Sequence, residues 1–252
     1  MGGKLAVKSL DSFVGDLDAS EYKRLNFPHR CENFDIYNFL FFNFNYTSIF
    51  DNFIYLDRKQ FDPMPYATVD RNFSFEGNPK GIAGARVRPG NKFSSYVMTE
   101  IVHPHGIQGV PRSLLFGIDM PATINGNQDQ ALRLAKPFWA QNAKRYEHLF
   151  KDTELFIIFG CSLGESDRWW WKNVAESLCQ ERSYAGSSNR FFAEVIIYWY
   201  DAGKDLTPDE VKIRFLEAAG VMDRRRELEP FIHVVIYNAE SDRTWLRTLR
   251  EV

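Results

Sequence analysis

The sequence predicts an α/β fold: a mainly parallel sheet with helices on both faces. Three observations predict it. Leu155 to Phe159 is an uninterrupted apolar run with β-branched and aromatic members, the pattern of a strand buried on both sides. It is followed by a loop bracketed by Gly160 and Gly164, by the N-cap residues Ser166 and Asp167, and by a helical pattern from Arg168 to about Gln180. Two more apolar strands, Ala193 to Tyr200 and Phe231 to Tyr237, flank a helix from Pro208 to Ala219 that opens with Thr207 as N-cap.

The remaining elements follow in order. Residues 1–34 are mixed, polar and poorly defined, with short helices expected between Ser12 and Leu25. Ile36 to Phe42 reads as a strand, and Thr47 or Ser48 can cap a short helix reaching Tyr55. Residues 57–95 are rich in glycine and proline and read as a long irregular insertion. A mobile basic lid built on Lys80, Arg86, Arg88 and Lys92 is the functional alternative. Strands are expected at Tyr96 to Val102 and Ser113 to Phe116, and a helix over 128–149 that Pro137 must kink or divide. A last helix is expected from about Ser241 to Leu249, and the charged run Asp223 to Glu229 reads as a solvated face.

Composition narrows the function. The chain has 252 residues, of which 22 are Phe, enough apolar surface for a single domain spanning 1–252. A net charge of −2 gives no global attraction to nucleic acid or to an anionic membrane. No apolar run approaches the ~20 residues of a membrane helix. Met1-Gly2-Gly3 is not a myristoylation start, because Ala6 stands where Ser or Thr is needed. Cys31, Cys161 and Cys179 are widely spaced and odd in number, which suggests neither a disulfide framework nor a metal site. A cytoplasmic setting is the expectation.

Chemistry-bearing residues fall at the carboxyl ends of predicted strands: Asn45, His105 and the loop from Gly160 to Gly164. In a parallel sheet those ends share one edge, where small ligands bind. The loop supports two chemistries. Its backbone N–H groups can cradle a ligand, or Gly160-Cys161-Ser162-Leu163-Gly164 can act as a nucleophile elbow of G-x-S-x-G type. Plain structural readings stand beside these. Asn45 is also a turn residue, Asp167 a helix cap, Cys161 an inert buried thiol, and His103, His148 and His233 structural, with His233 a satisfied core residue. Trp169-Trp170-Trp171 span about 200° of a helix surface, so two are expected to be buried and one to lie on the surface.

Phe44-Asn45-Tyr46-Thr47, His105-Gly106, Phe116-Gly117-Ile118-Asp119 and Phe159-Gly160-Cys161-Ser162-Leu163-Gly164-Glu165-Ser166-Asp167 occur in that order. Together they resemble the bacteriophage abortive-infection AbiH family, and more widely the sirtuin-like, NAD-consuming α/β domains of antiphage systems. The resemblance implies a Rossmann-like sheet in a sirtuin-like arrangement, a role in phage defence, and hydrolysis of NAD at the nicotinamide–ribose bond. It implies that Asn45 and His105 serve that bond. Tyr46, Gly106, Gly117, Asp119, Gly160, Ser162, Leu163 and Asp167 would bind the nucleotide. NAD is then the substrate, no metal is expected, and a phage protein trigger and a homo-oligomer are the expected partners.

One departure from the pattern matters. Such domains open with a glycine-rich phosphate-binding turn, and none precedes Phe34: Gly2-Gly3 follows no strand, and Gly15 stands alone. The chain is therefore expected to lack its N-terminal βα unit, as the later part of a longer protein or by loss of the pyrophosphate site. Weak NAD binding by this chain alone follows. Two alternatives remain: a non-catalytic sensor that binds a nucleotide or a phage protein, and a serine hydrolase using Ser162 with His105, or Asp201 and His233, in support.

Overall fold

The computed structural model describes residues 13–31, 35–52, 73–76, 92–115, 141–164, 167–184, 186, 188–203 and 205–238. The elements are α1 (Ala19–Arg24), β1 (Ile36–Phe42), β2 (Phe73–Glu76), β3 (Lys92–Val102), α2 (Asn142–Asp152), β4 (Leu155–Phe159), α3 (Arg168–Leu178), β5 (Arg182–Ser183), β6 (Arg190–Phe191), β7 (Glu194–Tyr200), α4 (Pro208–Ala219), α5 (Arg225–Leu228) and β8 (Ile232–Tyr237). The fold is mixed α/β with parallel strands, as the alternation predicts.

Among the described residues, two three-stranded sheets carry six of the strands, in the orders β1-β3-β2 and β4-β7-β8, and β5 and β6 pair antiparallel as a separate two-stranded sheet. β1 and β3 are parallel, in register from Ile36 opposite Tyr96 to Phe42 opposite Val102. β4, β7 and β8 are all parallel, with Leu155 opposite Glu194 and Val195 opposite Ile232. β7 is central, and Glu194 to Tyr198 are buried, which is why the stretch from Val195 reads as a continuous apolar run.

The alternation of side chains along each strand builds two cores. On one face Ile158, Val195, Ile197 and Val234 pack with Trp170, Trp171 and Val174 of α3 and Val211, Phe215 and Leu216 of α4. On the other, Tyr37, Phe39 and Phe41 of β1 meet Leu155, Ile157, Phe159, Ile196, Tyr198 and Val235. β1 sends Phe42 to the first core and its odd-numbered aromatics to the second, so the two sheets share both.

Several local features follow from the sequence chemistry. Thr207 and Glu210 form a reciprocal capping box at the start of α4, and Gly220 closes that helix at φ 74°. The run Asp223 to Glu229 is mostly solvated, with Arg224–Glu227 and Arg225–Glu229 ion pairs, but Leu228 is buried.

Other expectations need correction. Part of the N-terminal segment is a core element, with Phe13, Val14, Leu17 and Leu25 buried over the second core. The insertion is partly regular: β2 pairs antiparallel with the start of β3, Phe73 opposite Ser95 and Glu76 opposite Lys92. No strand forms at Ser113, where Pro111–Ser113 is a 3-10 turn, because Pro111 fixes a turn conformation and lacks the N–H a ladder needs. The helix expected over 128–149 is seen as α2 from Asn142 onward. Residues 128–140 and the helix at 241–249 lie outside the described residues.

A buried ionic cluster fastens the N-terminal segment to the amino-terminal edge of the second sheet. Glu21 of α1 meets Nδ1 of His233 at 3.1 Å and Nζ of Lys212 at 3.3 Å. Nε2 of His233 lies 3.2 Å from Glu194, whose carboxylate also accepts from the backbone N–H of Asn26 and Phe27 at 2.8 and 2.7 Å. Burial pushes His233 toward the neutral form, but hydrogen bonds to Glu194 and Glu21 outweigh it and raise its pKa. An imidazolium donates at both nitrogens, which satisfies both carboxylates.

Candidate functional site

The polar groups singled out in the sequence lie where parallel strands end. β1 runs out at Phe42, β3 at Val102 and β4 at Phe159. After β1 the chain is held by Asn43, whose N–H donates to Val102 O at 2.8 Å and whose Oδ1 accepts from Asn45 N at 3.0 Å. Asn43 is therefore the turn residue, and the side chain of Asn45 is exposed at the edge.

Phe44 ties the three clusters together. Its ring lies 5.3 Å from the imidazole of His105 and 5.1 Å from the indole of Trp170. Trp170 belongs to the helix that follows the Gly160 loop. The indole N–H of its neighbour Trp171 donates to Gly164 O at 3.0 Å. Phe44 thus links the Asn45 turn to the His105 turn and to α3, the helix that follows the Gly160 loop. His105 is 9% exposed, so its imidazole is largely shielded from water.

The turn after β3 is built around Gly106 and Tyr46. Gly106 has φ 88°, and a Cβ there would sit 2.1 Å from Ser113 O, so only glycine fits. Tyr46 O accepts from Gln108 N at 2.7 Å, and the Tyr46 hydroxyl donates to Leu115 O at 3.3 Å. Leu115 N in turn donates to His105 O at 3.0 Å. Tyr46 and Gly106 thereby hold the His105 segment in place. Gly117 and Asp119 lie outside the described residues.

The loop after β4 turns at Gly160, with φ 67° and no described residue within 4 Å of where a Cβ would be. Ser162 is exposed and Leu163 is buried with φ 52°, an uncommon conformation for a non-glycine residue. A nucleophile elbow strains the nucleophile itself, whereas here the left-handed residue is Leu163. Asp167 takes the N-cap position of α3 without a capping hydrogen bond from its side chain, which corrects the expectation of a capping carboxylate. Burial, and then the charge of Asp167, push the Cys161 thiol up to about 11, so it is inert near neutral pH. Trp170 and Trp171 are buried, and Trp169 is half-buried at the mouth of a shallow 340 Å³ cleft with Gln141, Asn142, Ala143 and Lys144.

The form of the hydrolase alternative that relies on Asp201 and His233 loses its support. His233 is engaged by Glu21 and Glu194 at the opposite edge of the sheet. Asp201 receives Asp205 N at 3.0 Å and closes a turn. Sequence reasoning treated His103 as structural and did not single out Asp51. The structure places Nε2 of His103 2.9 and 3.0 Å from the two carboxylate oxygens of Asp51. The partners are 52 positions apart, and no spacing rule links them.

No group of three or more His, Cys, Asp or Glu arranged for a metal ion occurs among the described residues. None of their helices is long and apolar enough to cross a membrane. No curated protein and no solved structure matches the chain. The profile of one family, described as bacteriophage abortive infection AbiH, matches residues 4–185. That match covers the N-terminal segment, β1, β3, the His105 turn and the Gly160 loop, so the chain belongs to the AbiH family, whose role is abortive infection against bacteriophage.

Proposed function

We propose that the protein acts in abortive infection by hydrolysing NAD at the nicotinamide–ribose bond, in a sirtuin-like arrangement at the carboxyl edge of its parallel strands. One observation supports this reading: Phe44, the residue before Asn45, contacts both His105 and Trp170 of the helix that follows the Gly160 loop. Cleaving an N-glycosidic bond builds positive charge on the ribose. An exposed Asn amide can hold ribose hydroxyls, and an imidazole shielded from bulk water can serve the reacting end. The exposed Ser162 and the N–H groups of the loop supply further contacts to a ribose.

The test is nicotinamide release from NAD by the full-length protein, in the presence of a triggering phage, with Asn45→Ala and His105→Ala. Release by the wild type and its loss in both variants are expected. If the wild type releases none, the second reading takes over: a non-catalytic module that binds a nucleotide or a phage protein.

A further inference from the structure

We infer that His103, oriented by Asp51, is the proton acceptor of this site, an inference that rests on the NAD reading. His103 directly follows β3, whose last residue Val102 is paired with Phe42 at the end of β1. Asp51 lies in a helical turn at 49–52, just after the Asn45 turn. Both groups therefore sit at the edge that carries Asn45 and His105, and His103 O accepts from the N–H of Gly106 at 3.1 Å.

The two ring nitrogens have different surroundings. Nε2 faces both oxygens of Asp51 at 2.9 and 3.0 Å. Nδ1 is buried and has no hydrogen-bond partner among the described residues. A carboxylate can only accept, so in the neutral ring Nε2 carries the proton and Nδ1 keeps its lone pair. Buried polar atoms are nearly always paired, and one left unpaired calls for a role. A carboxylate that fixes the tautomer and stabilises the imidazolium is the arrangement that makes histidine an effective base. Asp51 is the positioning residue.

The step balances. Water adds through its oxygen to C1′ of the ribose, and one of its protons passes to Nδ1 of His103. The bond from C1′ to the nicotinamide nitrogen breaks, and its electron pair stays with the ring nitrogen, neutralising the pyridinium. The products are nicotinamide and ADP-ribose, and His103 later gives its proton to solvent.

The experiment uses the full-length protein with its triggering phage and compares wild type, His103→Gln and Asp51→Asn. A Gln side-chain amide can still donate to Asp51, so the pairing survives while the base is removed. We expect His103→Gln to lower kcat roughly 10²- to 10⁴-fold with KM little changed. Asp51→Asn should lower kcat roughly 10²-fold or more, because the tautomer is no longer fixed. Ring ¹⁵N spectra should show His103 protonated at Nε2 in the wild type and redistributed in Asp51→Asn. If the wild type turns over NAD and His103→Gln keeps its kcat within about threefold, the inference is wrong and the NAD reading survives. If the wild type releases no nicotinamide, the NAD reading fails and the proton-accepting step fails with it. The spectra then judge the dyad alone, and protonation at Nδ1, or indifference to Asp51→Asn, removes that as well.

Discussion

Glu21 and His233 stand 212 positions apart in the chain and meet at 3.1 Å in its interior. The contact joins the N-terminal helix to the last strand of the second sheet, and Lys212 and Glu194 complete it. Removing one member leaves the others charged and buried. Glu21→Gln is therefore expected to cost about 2–4 kcal/mol in urea unfolding, more than a surface ion pair is worth. A cost below ~1 kcal/mol would mean that the cluster is well solvated.

The same cluster predicts a pH window. Burial pushes Glu21 up, but the His233 hydrogen bond and the charges of Lys212, His233 and Arg24 outweigh it and hold Glu21 below its ordinary 4.5. A lowered carboxylate gives stability that is present above the unfolded value and lost as pH falls through the folded one. His233 is raised above its ordinary 6.5, so its contribution is full below that value and is lost as pH rises through the folded pKa. The stability gap between wild type and His233→Phe should be widest between 4.5 and 6.5 and shrink on the alkaline side. Melting temperatures of both proteins across this range and on its alkaline side check it, and a gap independent of pH would show that His233 is neutral.

The two glycines of the site should differ in replaceability. At Gly106 a Cβ meets backbone 2.1 Å away and φ is 88°, so Gly106→Ala should cost about 3 kcal/mol or more and displace His105. At Gly160 φ is 67° with no described residue within 4 Å of a Cβ, so Gly160→Ala should cost only the left-handed strain, about 1–2 kcal/mol. Chemical denaturation of the two variants side by side tests the contrast, and equal costs would refute it.

The tryptophan run should divide in the same way. Trp170 fills the space between Phe42, Phe44 and Tyr146, with centroids at 5.1, 5.1 and 5.4 Å. Trp170→Ala is expected to cost about 3–5 kcal/mol, and Trp169→Ala clearly less, because that ring is only half-buried. Thermal unfolding would decide, and a larger loss for Trp169 would contradict the packing.

Cys161 should resist alkylation at pH 7.5. Its thiol, pushed up to about 11, is almost entirely protonated there. Rapid labelling of Cys161 by iodoacetamide in the folded protein would show that the loop opens.

Much of the fold was legible in the sequence because it rests on local pattern. Leu155–Phe159 and Ile36–Phe42 are strands over the spans their apolar runs mark, and Thr207, Pro208 and Glu210 announce the start of α4 by their own chemistry. The order of the Asn45, His105 and Gly160 segments was enough to indicate the family. Other features depend on which distant residues meet. The N-terminal segment looked merely polar because its few apolar residues gain meaning only against Ile196 and Tyr198. The partners of His233 lie 212 and 39 positions away, and the partner of His103 lies 52 away. Periodicity reports the face of an element that is buried, since that repeats along the chain. The neighbour of a buried charge is set by the packing of separate elements, and only the tertiary structure decides it.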